Sequence, residues 1–288
     1  MTSTWKVGRS RWLAIVAGCA VVLAVVYLVA VHTQVGQRLD EAAVLHHRYD
    51  RTTDSDARIL THSMAIFLGA VAVAIGLYVL PRWVQLTSAA VAVLGGVLGA
   101  GFLRKTVLTR PNLTFDSLYG QSYPSGHAAA AMGLALTMVI VSRSHPTVTR
   151  VAAMSLVGVI NGLIVFIPMH RPSDVVGGDL FALGVLGAVA LLLPVVLGRF
   201  DRRGPLRSAA DDLPGRLTWP QIRVVLGVAL GLAAAGIGGS ALLARRSGLT
   251  LGQFGPGFPV AQSLVVFLGA VSVGVMSLIV RPTPEITS

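Results

Sequence analysis

A chain of 288 residues that is 54% hydrophobic and only 12% charged, with a mean hydropathy of +0.74, lacks the polar surface of a soluble globular protein and excludes that class. The formal net charge of +11 does not indicate nucleic-acid binding, because the cations sit in short tracts between apolar runs. That is the distribution expected of topology determinants and of contacts with anionic lipid headgroups.

Eight apolar segments follow one another along the chain, at about 12–31, 59–80, 84–103, 127–141, 151–167, 174–197, 224–244 and 260–280. The first contains the only cysteine, Cys19, so an intrachain disulfide is excluded. Val16-Ala17-Gly18-Cys19 resembles a lipoprotein cleavage box, but the apolar run continues to Ala30, which favours a small residue within a membrane helix. The fourth and fifth segments are short for spans. Glycines recur at Gly95, Gly96, Gly99 and Gly101 in the third segment and at Gly177, Gly178, Gly184 and Gly187 in the sixth. Small residues of this kind let helices approach closely in lipid. The expected fold is therefore all-α, a polytopic membrane bundle with a six-helix core over 1–198, a basic cytoplasmic linker over 199–223 and two additional transmembrane helices over 224–288.

The Lys/Arg placement gives a modest excess on one side when both termini are cytoplasmic, with Arg199, Arg202, Arg203, Arg207, Arg216 and Arg223 forming the densest tract. The outer loop after the first segment mixes Arg38, Arg48, Arg51 and Arg58 with Asp40, Glu41, Asp50, Asp54 and Asp56, and also holds His46 and His47. With this topology three polar patches emerge on the outer face, at 105–111, 123–127 and 170–174. Arg104 and Lys105 either snorkel to the interface or, with Arg110, hold a phosphate. Tyr123-Pro124-Ser125-Gly126-His127 forms a turn before an apolar helix, either an ordinary cap or an anion-binding turn with a proton-donating imidazole. In His170-Arg171-Pro172-Ser173-Asp174 the proline suits a helix start, and the His/Asp spacing allows contact across one turn. That patch is either an interfacial charge cluster or a nucleophile with its orienting carboxylate. Asp179 and Asn161 are polar residues inside segments, readable as contacts near a site or as packing groups.

Pro-Ser-Gly-His followed by His-x-x-x-Asp, each at the outer end of a helix, resembles the type 2 phosphatidic acid phosphatase superfamily, whose helical bundle is shared with vanadium-dependent haloperoxidases. The resemblance covers roughly 59–198. It implies that His170 is a nucleophile forming a phosphohistidine, that Asp174 orients it and that His127 protonates the leaving oxygen. It further implies that Ser125 and the Gly126 backbone bind phosphate oxygens with Lys105 and Arg110, and that neither a metal nor another cofactor is needed. Two positions depart from the family pattern. Asn112 stands where the first motif usually has arginine, and Ile164 stands where an arginine usually precedes the nucleophile. Arg171 is the candidate substitute for that second cation, and an arginine placed at Ile164 would strengthen phosphate binding if the pocket has room. The expected substrate is a phosphomonoester or pyrophosphate on a lipid or polyprenyl carrier, reached from the outer face of the cell membrane. Membrane lipids are the expected partners and nucleic acid is not. The alternative is a weakly active or inactive relative that binds or transports lipid. The sequence leaves the particular lipid and the oligomeric state open.

Overall fold

The computed structural model of the protein describes residues 9–43, 83–114, 121–141, 146–166, 170–200, 219–246 and 257–279. Among these residues the fold is all-helical, with eight α-helices and no strands. They are α1 (Arg9–Val26), α2 (Gln34–Ala42), α3 (Trp83–Phe102), α4 (Gly126–Val141), α5 (Pro146–Phe166), α6 (Pro172–Phe200), α7 (Trp219–Arg246) and α8 (Phe258–Ile279). α1 runs on through a π turn, Tyr27–Val31, and α3 through another, Leu103–Val107. The expected segment 59–80 and the histidines His46 and His47 lie outside the described residues, as does 201–218 of the expected linker.

Among the described residues, five helices are long and apolar enough to cross a membrane: Ser10–Val31, Ala90–Val107, Thr147–Phe166, Pro172–Leu192 and Phe258–Ile279. Several apolar helices of this length are compatible with an integral membrane protein. The fifth expected segment is longer than the sequence indicates, because α5 begins at Pro146 and has 21 residues. α4, with 16 residues, is short, and its environment explains why. It packs against α3, α5, α6 and α8, and Ala128, Ala129, Ala131, Met132, Leu134, Ala135 and Leu136 are all buried. A helix that is apolar on every side belongs at the centre of a bundle, where neighbours and not lipid cover it. α1 is the opposite case, leaving Leu13, Val21, Val22 and Val25 exposed while it packs on α6.

The last two helices are closely integrated. α8 packs along α5 and α7 and also touches α4 and α6. Asn161 of α5 donates from Nδ2 to Asp179 Oδ2 of α6 at 2.6 Å, and both are buried against Gly269 of α8. A Cβ at Gly269 would lie 2.6 Å from Asn161 Nδ2, so the glycine admits the polar pair between three helices. Asp179 and Asn161 thus pair with each other as interhelical groups.

Candidate active site

The site lies at one end of the bundle, where the starts of α4 and α6 meet the C-terminal π turn of α3 and the short α2. Its frame is a close crossing of α4 and α6. Pro172 opens α6, and Ser125 caps α4: its hydroxyl accepts from Ala128 N–H at 3.3 Å and its carbonyl from Ala129 N–H at 3.1 Å. Ser125 N–H donates to the Asp174 carbonyl at 2.8 Å, tying the turn directly to the first turn of α6. The Tyr123–Pro124 peptide in this turn is cis. The Tyr123 ring lies over Gly177, and its hydroxyl donates to the Leu23 carbonyl of α1 at 2.8 Å.

This frame brings the two histidine rings together edge to face, with centroids 5.6 Å apart and planes at 63°. His127 Nδ1 and His170 Nε2 are 3.3 Å apart, and the other His170 nitrogen, Nδ1, lies 3.8 Å from Asp174 Oδ2. Asp174 is fully buried; its Oδ2 accepts from Arg171 N–H at 2.9 Å and from the Ser122 hydroxyl. At 3.8 Å the carboxylate is beyond hydrogen-bond distance of Nδ1, and its negative charge on that side favours the Nδ1–H tautomer and leaves a lone pair on Nε2. His127 then supplies the proton between the two rings. The series His127, His170, Asp174 has the chemistry that a proton donor, a nucleophile and an orienting anion would need, in that order.

The expected cations are arranged unequally. Lys105 is exposed, whereas Arg104 is half-buried and acts on His127 through space. Both residues lie in the π turn Leu103–Val107, and as consecutive helical residues they point in different directions. Arg110 is buried and engages two carboxylates, with NH2 3.1 Å from Asp40 Oδ2 and NH1 3.5 Å from Asp174 Oδ1. The Arg171 side chain is buried beside Glu41, at 4.0 Å from Oε1. Ser125 is wholly buried in its capping role, with its own O–H left to donate. Gly126 is the open side of the site, since a Cβ there would meet nothing within 4 Å. Asn112 is exposed.

Ile164 is 1% exposed and belongs to the apolar core. The room that an arginine would need there is filled. Ile164→Arg should therefore reduce the yield and thermal stability of the detergent-purified protein by several kcal/mol (~3, the order of burying an unpaired cation in a membrane helix) and not improve phosphate affinity. A folded variant with a lower KM would contradict this.

The sequence reading missed α2. Thr33 caps it, accepting from Gly36 N–H at 2.9 Å, and its inward face carries Gln37, Asp40 and Glu41. Gln37 Nε2 donates to the carbonyls of Val31 and Pro111, and its Oε1 accepts from Leu113 N–H. The Tyr27 hydroxyl donates to the Thr109 carbonyl at 2.7 Å and accepts from Thr109 N–H at 2.9 Å. Together these bonds shape the strand of loop that carries Arg110. Asp40 accepts from Ser173 N–H at 3.1 Å and from the Ser173 hydroxyl. Burial, with the Asp174 carboxylate nearby, pushes the Asp40 carboxyl up from an ordinary 3.8 to about 6, against the pull of Ser173 and Arg110. The signal that could have revealed α2 was a polar stripe at helical spacing, Gln37, Asp40 and Glu41, behind a threonine cap.

Comparison of the chain with protein-family models, characterised proteins and solved structures gives no match.

Proposed function

We propose that the protein is an integral membrane lipid phosphate phosphatase that works through a phosphohistidine, independently of metal. The observation that carries this reading is the line His127–His170–Asp174, with 3.3 Å between the two imidazoles and 3.8 Å from His170 to its carboxylate.

In the first step His170 Nε2 attacks phosphorus, the N–P bond forms and the bond to the lipid oxygen breaks. His127 gives its proton to that leaving oxygen. In the second step His127 takes a proton from water, whose oxygen attacks phosphorus, releasing inorganic phosphate and free His170. An attacking nitrogen sits roughly 3–3.5 Å from the atom it attacks, so the phosphoryl group must part the two rings. His127 is the ring that can give way, because it is half-exposed and borders the open space at Gly126. Arg104, the Gly126 N–H and the helix start at α4 are the groups placed to receive phosphate oxygens. A lipid substrate is favoured by the setting. Leu98, Phe102 and Val107 on and beyond α3 and Leu28 and Val29 after α1 present exposed apolar surface near the same end. An acyl or prenyl tail can remain in hydrocarbon while its phosphate reaches His170. The topology proposed has the site on the outer face of the cell membrane and both termini in the cytoplasm.

A second reading, a lipid-binding relative without turnover, draws on the carboxylates that occupy Arg110 and on the apolar Ile164. The two are separated by phosphate release from a panel of lipid phosphates in the presence of a chelator. The parent should turn over, and His170→Ala and His127→Ala should each lose at least about a hundredfold in kcat. Parental activity in both variants would exclude this mechanism, and loss of activity on chelation would point to a metal enzyme.

A further inference from the structure

Asp40 is brought from α2, more than a hundred residues away in sequence, to the N-terminus of α6. There it competes with Asp174 for one arginine. Arg110 NH2 is at hydrogen-bond distance from Asp40 Oδ2, while Arg110 NH1 faces Asp174 Oδ1 at 3.5 Å, outside a good hydrogen bond. Among the described residues neither Arg110 NH1 nor Asp174 Oδ1 makes any hydrogen bond. Both are buried, where an unmade bond to a charged group is costly, so the pair is under a standing pull to close. Asp40 restrains it. The other carboxylate oxygen, Asp174 Oδ2, is the one next to His170 Nδ1, and it also receives Arg171 N–H and the Ser122 hydroxyl.

We infer that Asp40 is a positioning residue: it holds Arg110 off Asp174, so that Asp174 keeps one oxygen for His170. Without the Asp40 charge, Arg110 would close onto Asp174 as a bidentate fork and take that oxygen for itself. The His170 ring, whose Nδ1 lies 3.8 Å from Oδ2 and makes no hydrogen bond among the described residues, would then lose the neighbouring negative charge that favours its Nδ1–H tautomer. Arg110 on this view braces the orienting carboxylate and is not itself a phosphate ligand. Asp40 owes its own place to Ser173, whose N–H and hydroxyl both donate to it, and to Gln37, which fastens α2 to the loop before and after Arg110.

The role rests on the phosphohistidine reading for its effect on turnover, whereas its effect on the imidazole does not. The test is therefore run on the full chain in detergent with 15N-labelled histidine, at mildly alkaline pH where Asp40 is ionised. His170 signals are assigned by their loss in His170→Ala. The ring 15N shifts should report mainly the Nδ1–H tautomer in the parent and in Asp40→Glu, and a marked gain of the Nε2–H tautomer in Asp40→Asn. Adding Arg110→Gln to Asp40→Asn removes the competitor and should return the parental ratio. On a lipid phosphate, Asp40→Asn should lower kcat on the order of a hundredfold with little change in KM, part of the cost of a misplaced tautomer. The same tautomer ratio in the parent and Asp40→Asn would overturn the role, as would a shift that Arg110→Gln does not reverse. If Asp40→Asn alone fails to fold, the double variant and Asp40→Glu decide: a parental ratio in both supports the role and an altered ratio in either overturns it. A parent that releases no phosphate would reject the phosphatase reading while the 15N comparison still decides the part played by Asp40.

Discussion

Asp174→Asn is expected to lower turnover of a lipid phosphate by about three to four orders of magnitude while leaving the bundle folded. The substitution keeps the side chain's volume, and the frame does not depend on its charge, because the bond from Ser125 N–H is accepted by the Asp174 backbone carbonyl. In the Oδ1 position, 3.5 Å from Arg110 NH1, the asparagine oxygen accepts from the guanidinium, and the amide NH2 takes the Oδ2 position beside His170 Nδ1 at the expense of the bond from Arg171 N–H. The amide then donates where a carboxylate presented negative charge. The imidazole responds by turning its lone pair to Nδ1 and its proton to Nε2, the atom meant to attack phosphorus. Nucleophilicity is lost at the reacting nitrogen with no heavy atom displaced. Arg110 also loses one of its two carboxylates, which adds a modest cost in stability. Phosphate release and thermal unfolding in detergent, measured on the same preparation, separate the two effects. Parental turnover in a folded Asp174→Asn protein would show that Asp174 does not orient the nucleophile.

The histidines and Asp174 were legible in the sequence because their geometry is local. Four residues on a helix are one turn, so His170 and Asp174 could be paired on spacing alone, and Pro124 and Gly126 marked the turn that presents His127. The meeting of the two motifs is long-range, the two histidines being 43 positions apart in sequence. It was inferable only from the side of the membrane on which each helix should start. What could not be read is the environment of the cations. Whether Arg104 or Lys105 turns inward depends on the register of the last turn, Leu103–Val107, which the spacing of the two cations does not fix. Arg110 looked like a free phosphate ligand because its partner Asp40 is 70 residues away. α2, nine residues long and polar, is overshadowed in a search for apolar runs.

The same division applies to the fold. Apolar runs located the described helices other than α2, since each needs only its own composition to be recognised. The neighbours of each helix were not legible. The sequence reading places α7 and α8 outside the resemblance as two additional helices, yet Gly162 admits α8 against α5, where Gln262 Nε2 donates to the Gly162 carbonyl at 3.1 Å. Ile164 raised a question about chemistry when read against the family pattern. In the fold it is simply a core side chain.

Gly178→Ala should be as damaging as loss of a site residue, although Gly178 carries no chemistry. A Cβ at this position would lie 2.3 Å from the Ser125 carbonyl oxygen, 2.9 Å from Ala128 Cβ and 3.2 Å from Ala129 N. Two of these are backbone atoms of the turn and of the first coil of α4, so no side-chain rotation relieves the clash. The start of α4 must move away from α6, which stretches the 2.8 Å bond from Ser125 N–H to Asp174 and widens the 3.3 Å contact between the imidazoles. A displacement of about 1 Å in a catalytic pair is enough to cost on the order of a hundredfold in rate. Overpacking of this kind costs about 1–3 kcal/mol, only part of which the better helix propensity of alanine, about 1 kcal/mol, offsets. Gly101 provides the control. It lies in α3, where a Cβ would meet nothing within 4 Å, so Gly101→Ala should be neutral or slightly stabilising. The pair is compared by thermal unfolding midpoint and by phosphate release. If Gly178→Ala tracks Gly101→Ala in both, the close crossing of α4 and α6 is not what holds His127 against His170.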